Sequence, residues 1–270
     1  MRHVANARMY SVNPQVAAAW RELFGWLAQA SGVDLDILDH AFPLPLANLW
    51  SRPDLACAFM CGYPFMLATQ RPRPVAAPVP ARAPIAGRPV YATCLVVRAE
   101  SNFHTIEDTF GGRLGYTVAD SHSGYNALRH HLLPHFRRRG AKLYRESIGP
   151  LTTPRRVVDA VLAGDIDVGP LDGFALDLML RHQLELGSQI RVVAVTDPAP
   201  IPFLVASSSC PDEIISRLQA TLATFVAAPA CADLRDRLCL DAFTPVALED
   251  YSLMLRWDAE ARAAGYPQPT

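Results

Sequence analysis

Residues 113–138, RLGYTVADSHSGYNALRHHLLPHFRR, change periodicity in the middle. An apolar run over 113–119 reads as a strand, and helical spacing follows over 124–138. Between them stands Asp120-Ser121-His122-Ser123-Gly124-Tyr125-Asn126. A helix that opens here presents N–H groups without intrahelical acceptors at the positive end of its dipole. Ser121 and Ser123 add hydroxyl donors beside those amides, and Gly124 permits close backbone approach. Such a turn can cradle an anion. The plainer reading is an ordinary serine cap with a glycine nearby.

The same alternation extends in both directions. Strands are expected at 7–12, 55–60, 90–98, 113–119, 142–146, 166–171, 190–195 and 202–206, and helices at 14–30, 124–138, 154–163, 211–227 and 248–264. Strand and helix in turn predict an α/β fold with mainly parallel sheets flanked by helices. The six prolines within 71–89 oppose a regular ladder there, so that stretch reads as an extended surface connection or sheet edge. The helical stretches beyond the final strand must pack back on an earlier sheet. The expected arrangement is a discontinuous first lobe, 1–99 plus 197–270, and a second lobe, 100–196. Hinges fall near 97–100 and 195–198, and the ligand cleft lies at the carboxyl ends of the strands.

Two further turns repeat the chemistry of the first. In Gly149-Pro150-Leu151-Thr152-Thr153-Pro154-Arg155-Arg156, Thr153 is placed to cap a helix and Pro154 suits its first position. The strand at 166–171 then delivers Asp172 to its carboxyl end, where a carboxylate can receive an ammonium group, hold a hydroxyl, or cap the next helix. Cys61-Gly62-Tyr63-Pro64 closes the strand at 55–60 and offers the Tyr63 phenol. Three such turns together favour a pocket for a small oxyanion.

Composition narrows the partners. The chain has 270 residues, 50% of them hydrophobic and 19% charged, with a net charge of −1. It is too apolar for disorder and lacks the basic excess of a nucleic-acid binder. No run approaches the length of a membrane span. The six cysteines are too dilute for a disulfide scaffold and form no CxxC pair, so they read as buried thiols. His131 and His135 share a helical face, but Pro134 interrupts it and Arg129, Arg137, Arg138, Arg139 and Lys142 surround it with positive charge. A solvated basic face is expected there, with no metal. The four tryptophans read as core, and no cofactor motif occurs.

The strings CGYP at 61–64, DSHSGYN at 120–126 and GPLTTPRRVVDAVLAGDIDVGPLD at 149–172 resemble the phosphate/phosphite/phosphonate-type solute-binding proteins of ABC transporters. The similarity runs over about 10–207. It implies the two-lobed type II periplasmic-binding fold and capture of a phosphonate or phosphate-like oxyanion for ABC-type uptake or sensing. By resemblance, Ser121, His122, Ser123, Gly124 and Tyr125 surround the anion, and Thr152 and Thr153 supply further donors. Asp172 matches an acidic position that reads an amine, and Tyr10 and Tyr63 close the site from the opposite lobe. The resemblance further implies a monomer, an ABC permease partner, a periplasmic location and, in an exported chain, a possible Cys61–Cys94 disulfide. Residues 1–10 carry no secretion signal, which keeps a cytoplasmic location and an enzyme on the same fold as the alternative. Menaquinone-pathway dehydratases and thiamin-pyrimidine synthases are of that kind, although no carboxylate pair or activated nucleophile stands out here.

Overall fold

A computed structural model describes residues 2–40, 42–82 and 87–270. The chain forms two compact units, Met1–Val90 with Pro200–Leu248, and Tyr91–Ala199 with Glu249–Thr270. It begins in the first unit with β1 (His3–Asn6), α1 (Pro14–Ser31), β2 (Leu35–Ile37), β3 (Leu55–Met60), α2 (Gly62–Leu67) and β4 (Arg73–Pro80). The second unit opens with β5 (Thr93–Arg98), β6 (Arg113–Gly115), α3 (Ala127–Arg139) and β7 (Glu146–Ile148). It continues through α4 (Pro154–Ala163), β8 (Gly169–Asp172), α5 (Gly173–His182) and β9 (Ile190–Val195). The chain returns to the first unit for β10 (Phe203–Ala206), α6 (Asp212–Ala223), α7 (Ala232–Arg237) and β11 (Leu240–Thr244), and ends in the second with α8 (Ser252–Ala263).

The first unit is built on a six-stranded sheet in the order β11-β4-β10-β3-β1-β2. β1 runs parallel to β2 and β3, whereas β10 runs antiparallel to both β3 and β4. Every residue of β3 is buried, as its uninterrupted apolar run requires of a central strand. α1 covers this sheet because its apolar positions recur at helical spacing. Asn13 Oδ1 accepts the N–H of Val16 at 2.8 Å to start it, and Gly32, at φ +63°, ends it. Trp20, fully buried on that helix, meets Phe59 of β3 edge-on at 5.0 Å. Complete burial of side chains of this size stabilises by about 1.5–3 kcal/mol each.

Two expectations fail in this unit. The first strand is His3–Asn6 and not 7–12, because Asn6 Oδ1 accepts the N–H of Arg8 at 2.7 Å and turns the chain into a single 3-10 turn, Arg8–Tyr10. The proline-rich stretch contributes β4 to the sheet interior. Arg73, Pro74 and Ala76 pair with β10, and residues 77–80 pair with β11, so each half of the strand behaves as an edge and tolerates its prolines. Residues 83–86 of that stretch lie outside the described residues.

In the second unit β5 is the centre of a three-stranded antiparallel sheet, β9-β5-β8, and β6 pairs with β7 in parallel. The pairing of the molecule is therefore mixed and not mainly parallel. The expected strand at 142–146 begins only at Glu146; Leu143 and Tyr144 are spent on the core instead. That core includes Leu95, Val97, Leu114, Leu128, Leu132 and Tyr266.

The unit boundaries fall at Val90/Tyr91, ahead of the hinge expected at 97–100, at Ala199/Pro200, directly beyond the one expected at 195–198, and at Leu248/Glu249, where none was expected. Residues 249–270, assigned from the sequence to the first lobe, belong to the second, where α8 packs on α3. The cause is electrostatic as well as apolar. Arg129 is only 1% exposed, not part of a solvated basic face, and pairs with Asp258 of α8. A buried guanidinium needs such a partner. Cys61 belongs to the first unit and Cys94 to the second. Cys57, Cys210 and Cys231 are buried thiols.

Candidate functional site

The serine turn departs from a regular helix start. The N–H of Asn126 donates to the carbonyl of Ser121 at 3.0 Å, a five-residue step, so the segment His122–Asn126 is a widened π-turn that feeds α3. Ser121 Oγ accepts the N–H of Gly124 at 3.0 Å and caps it. Gly124 is obligatory for space: a Cβ there would lie 1.8 Å from Thr117 Oγ1.

Thr117 joins this turn to the threonine turn. Its N–H donates to the carbonyl of Gly124 at 3.2 Å, and its own carbonyl accepts the N–H of Thr152 at 3.1 Å. Its hydroxyl is buried and has no hydrogen-bond partner among the described residues, an arrangement that is costly in a folded protein. Thr152 takes φ +69°, a left-handed conformation that a β-branched residue rarely adopts. Next to it, Thr153 Oγ1 accepts the N–H of Arg156 at 3.3 Å and starts α4, with Pro154 at the first position as its sequence predicts.

Asp172 enters the same neighbourhood through Thr93. Thr93 Oγ1 donates to the carbonyl of Ser123 at 3.1 Å, and Thr93 lies opposite Asp172 in the β5–β8 ladder. Asp172 is buried, and its Oδ1 accepts the N–H of Ala175 at 3.0 Å to cap α5. The second unit thus brings Ser121, Ser123, Gly124, Thr152, Thr153 and Asp172 into one hydrogen-bonded neighbourhood. Thr93 and Thr117, which the sequence reading missed, are the links.

His122 and Tyr125 have other surroundings. The His122 ring is 1% exposed and stacks on Trp257 at 5.3 Å. Burial, with a smaller contribution from His130, lowers its pKa to about 3, so it is a neutral ring at physiological pH. The Tyr125 hydroxyl donates to the carbonyl of Pro267 at 3.2 Å, its ring lies edge-on to Tyr116 at 5.5 Å, and burial raises its pKa. His130 stacks on Trp257 at 4.5 Å, and its Nε2 lies 3.0 Å from Glu260. Among the described residues no group of three or more His, Cys, Asp or Glu side chains could hold a metal ion.

Tyr10 and Tyr63 stand in the first unit. Tyr10 ends the 3-10 turn after β1; its ring meets Phe59 edge-on at 5.0 Å and its carbonyl accepts Trp20 Nε1 at 3.3 Å. Tyr63 lies buried in the first turn of α2, just beyond β3. Because β1 and β3 are adjacent and parallel, both residues follow strands on the carboxyl edge of that unit's sheet.

The sequence matches, over residues 10–251, the family described as ABC transporter, phosphonate, periplasmic substrate-binding protein. Among curated proteins no sequence matches. A solved binding-protein component of an ABC phosphonate transporter from Pseudomonas aeruginosa is similar at TM-score 0.81 and 16% identity, covering 98% of this chain and 88% of its own. PhnD1 from Prochlorococcus marinus, in complex with methylphosphonate, is similar at TM-score 0.74 and 13% identity, with 97% and 98% of the two chains covered. A Xanthomonas citri protein bound to chloride ion is similar at TM-score 0.68 and 18% identity over 98% of both chains. At these identities the likeness establishes the fold, that of the two-lobed type II periplasmic binding proteins. The family match extends over most of the chain, which belongs to the phosphonate-type periplasmic substrate-binding proteins of ABC transporters.

Proposed function

We propose that this chain captures a phosphonate or phosphate-like oxyanion on the turn carrying Ser121, Ser123 and Gly124, and delivers it to an ABC permease. One observation carries the reading: Thr117 ties that turn to the Thr152 turn while its own hydroxyl is buried with no hydrogen-bond partner among the described residues. Amides and hydroxyls gathered in this way replace the water that an anion loses on binding. The neutral His122 brings no cation to the turn, and its ring stacks on Trp257. Strain at Thr152, of about 1–3 kcal/mol, is of the kind that ligand clamps retain. Methylphosphonate bound to the Prochlorococcus marinus neighbour supports the ligand class.

In the same reading Thr153 supports the Thr152 turn, Tyr125 braces the serine turn, and Asp172 meets an ammonium group on an aminophosphonate. Tyr10 and Tyr63, on the carboxyl edge of the first unit's parallel strands, are that unit's ligand contacts. The protein acts in the periplasm as a monomer, and it binds without turnover. The test is calorimetric titration with methylphosphonate, phosphate, phosphite, sulfate and an uncharged amide. Saturable binding of one of the phosphorus oxyanions, with none of the amide, is the expected result. Failure of all the phosphorus oxyanions to bind would overturn the reading.

A further inference from the structure

Three side chains of the widened turn reach the C-terminal segment Glu249–Thr270. His122 stacks on Trp257 at 5.3 Å, Asn126 Nδ2 donates to the carbonyl of Met254 at 2.8 Å, and Tyr125 donates to that of Pro267 at 3.2 Å. One helical turn further on, the buried Arg129 donates to Asn126 Oδ1 at 3.0 Å and to the Pro267 carbonyl at 2.8 Å, and pairs with Asp258. The residues between these three have different partners. Ser123 and Gly124 bond through their carbonyls to Thr93 and Thr117. One side of the turn is thus held by Thr93 of β5 and by Thr117, just beyond β6, and the other by a segment more than a hundred residues away in sequence.

A five-residue turn is a rare geometry, and its alternative is relaxation to the four-residue step of an ordinary helix. That relaxation would shift the N–H register beyond Ser121 and move the donors off their common direction. The contacts of Glu249–Thr270 oppose it. We propose that this segment is a positioning element for the anion-binding turn, with Trp257 as its principal contact; the inference rests on the reading that the turn holds the anion.

Trp257→Leu keeps an apolar side chain but cannot stack, and Trp257→Phe can. In the full chain, Trp257→Leu is expected to weaken methylphosphonate binding by about tenfold or more, since a displaced donor loses most of its bond. The Ser123 and Gly124 amide resonances of the ligand-free protein shift at the same time, while first-unit resonances stay in place. Trp257→Phe restores both to within roughly threefold of wild type. Wild-type affinity with unmoved amides in Trp257→Leu, or an equal loss in Trp257→Phe, would overturn the proposal. Should Trp257→Leu fail to fold, Asp258→Asn loosens Arg129 from the same side and takes the same two readouts, and unchanged affinity there is equally fatal. Ser121→Ala with Ser123→Ala, run in parallel, separates the two claims. Normal binding in that double variant refutes the site itself and the positioning with it. Lost binding there beside intact Trp257 variants refutes the positioning alone.

Discussion

In the first unit, Asn13 Oδ1 accepts the N–H of Val16 at 2.8 Å; in the second, Ser121 Oγ accepts that of Gly124 at 3.0 Å. Both are side-chain caps on the third N–H of a helical segment, and by that bond alone they are equivalent. The chain beyond each cap separates them. After Asn13 stands Pro14, which has no N–H to satisfy, and the backbone winds directly into an 18-residue α-helix. After Ser121 the backbone takes a wide turn, sets Gly124 against Thr117, and is bracketed by Thr93 on one side and Trp257 on the other. In the proposed function these surroundings, and not the cap bond itself, suit the serine turn to an anion.

Substitution tests this difference most strongly at the serines. Ser121→Ala with Ser123→Ala is expected to weaken methylphosphonate binding by tenfold or more in calorimetry, since each charge-assisted bond contributes roughly 1.5–3 kcal/mol. Unchanged affinity would reduce Ser121 to the status of Asn13.

The packed imidazole ties the second unit's stability to pH. Burial holds the His122 pKa near 3 against an ordinary 6.5, so below about pH 6.5 the unfolded chain takes up a proton that the folded unit refuses. The contribution of this group to stability is therefore complete above pH 6.5 and declines as pH falls toward 3. Urea midpoints measured across that window should fall less steeply for His122→Gln than for wild type. Parallel curves would show that the ring is accessible to protons.

The smallest effect belongs to the structural cap. Asn13→Ala should lower stability by about 0.5–2 kcal/mol in urea denaturation and leave anion affinity within error of wild type. A loss of affinity there would mean that the two caps are not separable.

The sequence was most legible where local chemistry dominates. The helix at 154–163 has its observed bounds because Thr153-Pro154 and Gly164 mark both ends, and Leu55–Met60 was recognisable as a continuous apolar run. The serine turn was visible for the same reason: Ser, Gly and Asn are informative where a strand passes into a helix. Long-range partners were not. The periodicity of α8 shows that it has an apolar face but not that Arg129 and His122 wait for it in the second unit. A lone threonine inside a strand or a turn carries no signal, so Thr93 and Thr117 emerged only from the ladder and the turn geometry. The burial of His122 was hidden likewise, since nothing local distinguishes a packed imidazole from an exposed one.

The most direct measurement is a methylphosphonate titration of the isotopically labelled chain, monitored at the backbone amides. Saturable shifts are expected at Ser121, Ser123, Gly124 and Thr152, with the amides of Asn13 and Val16 unmoved. Saturation of the protein with no change in the serine turn would contradict anion binding there.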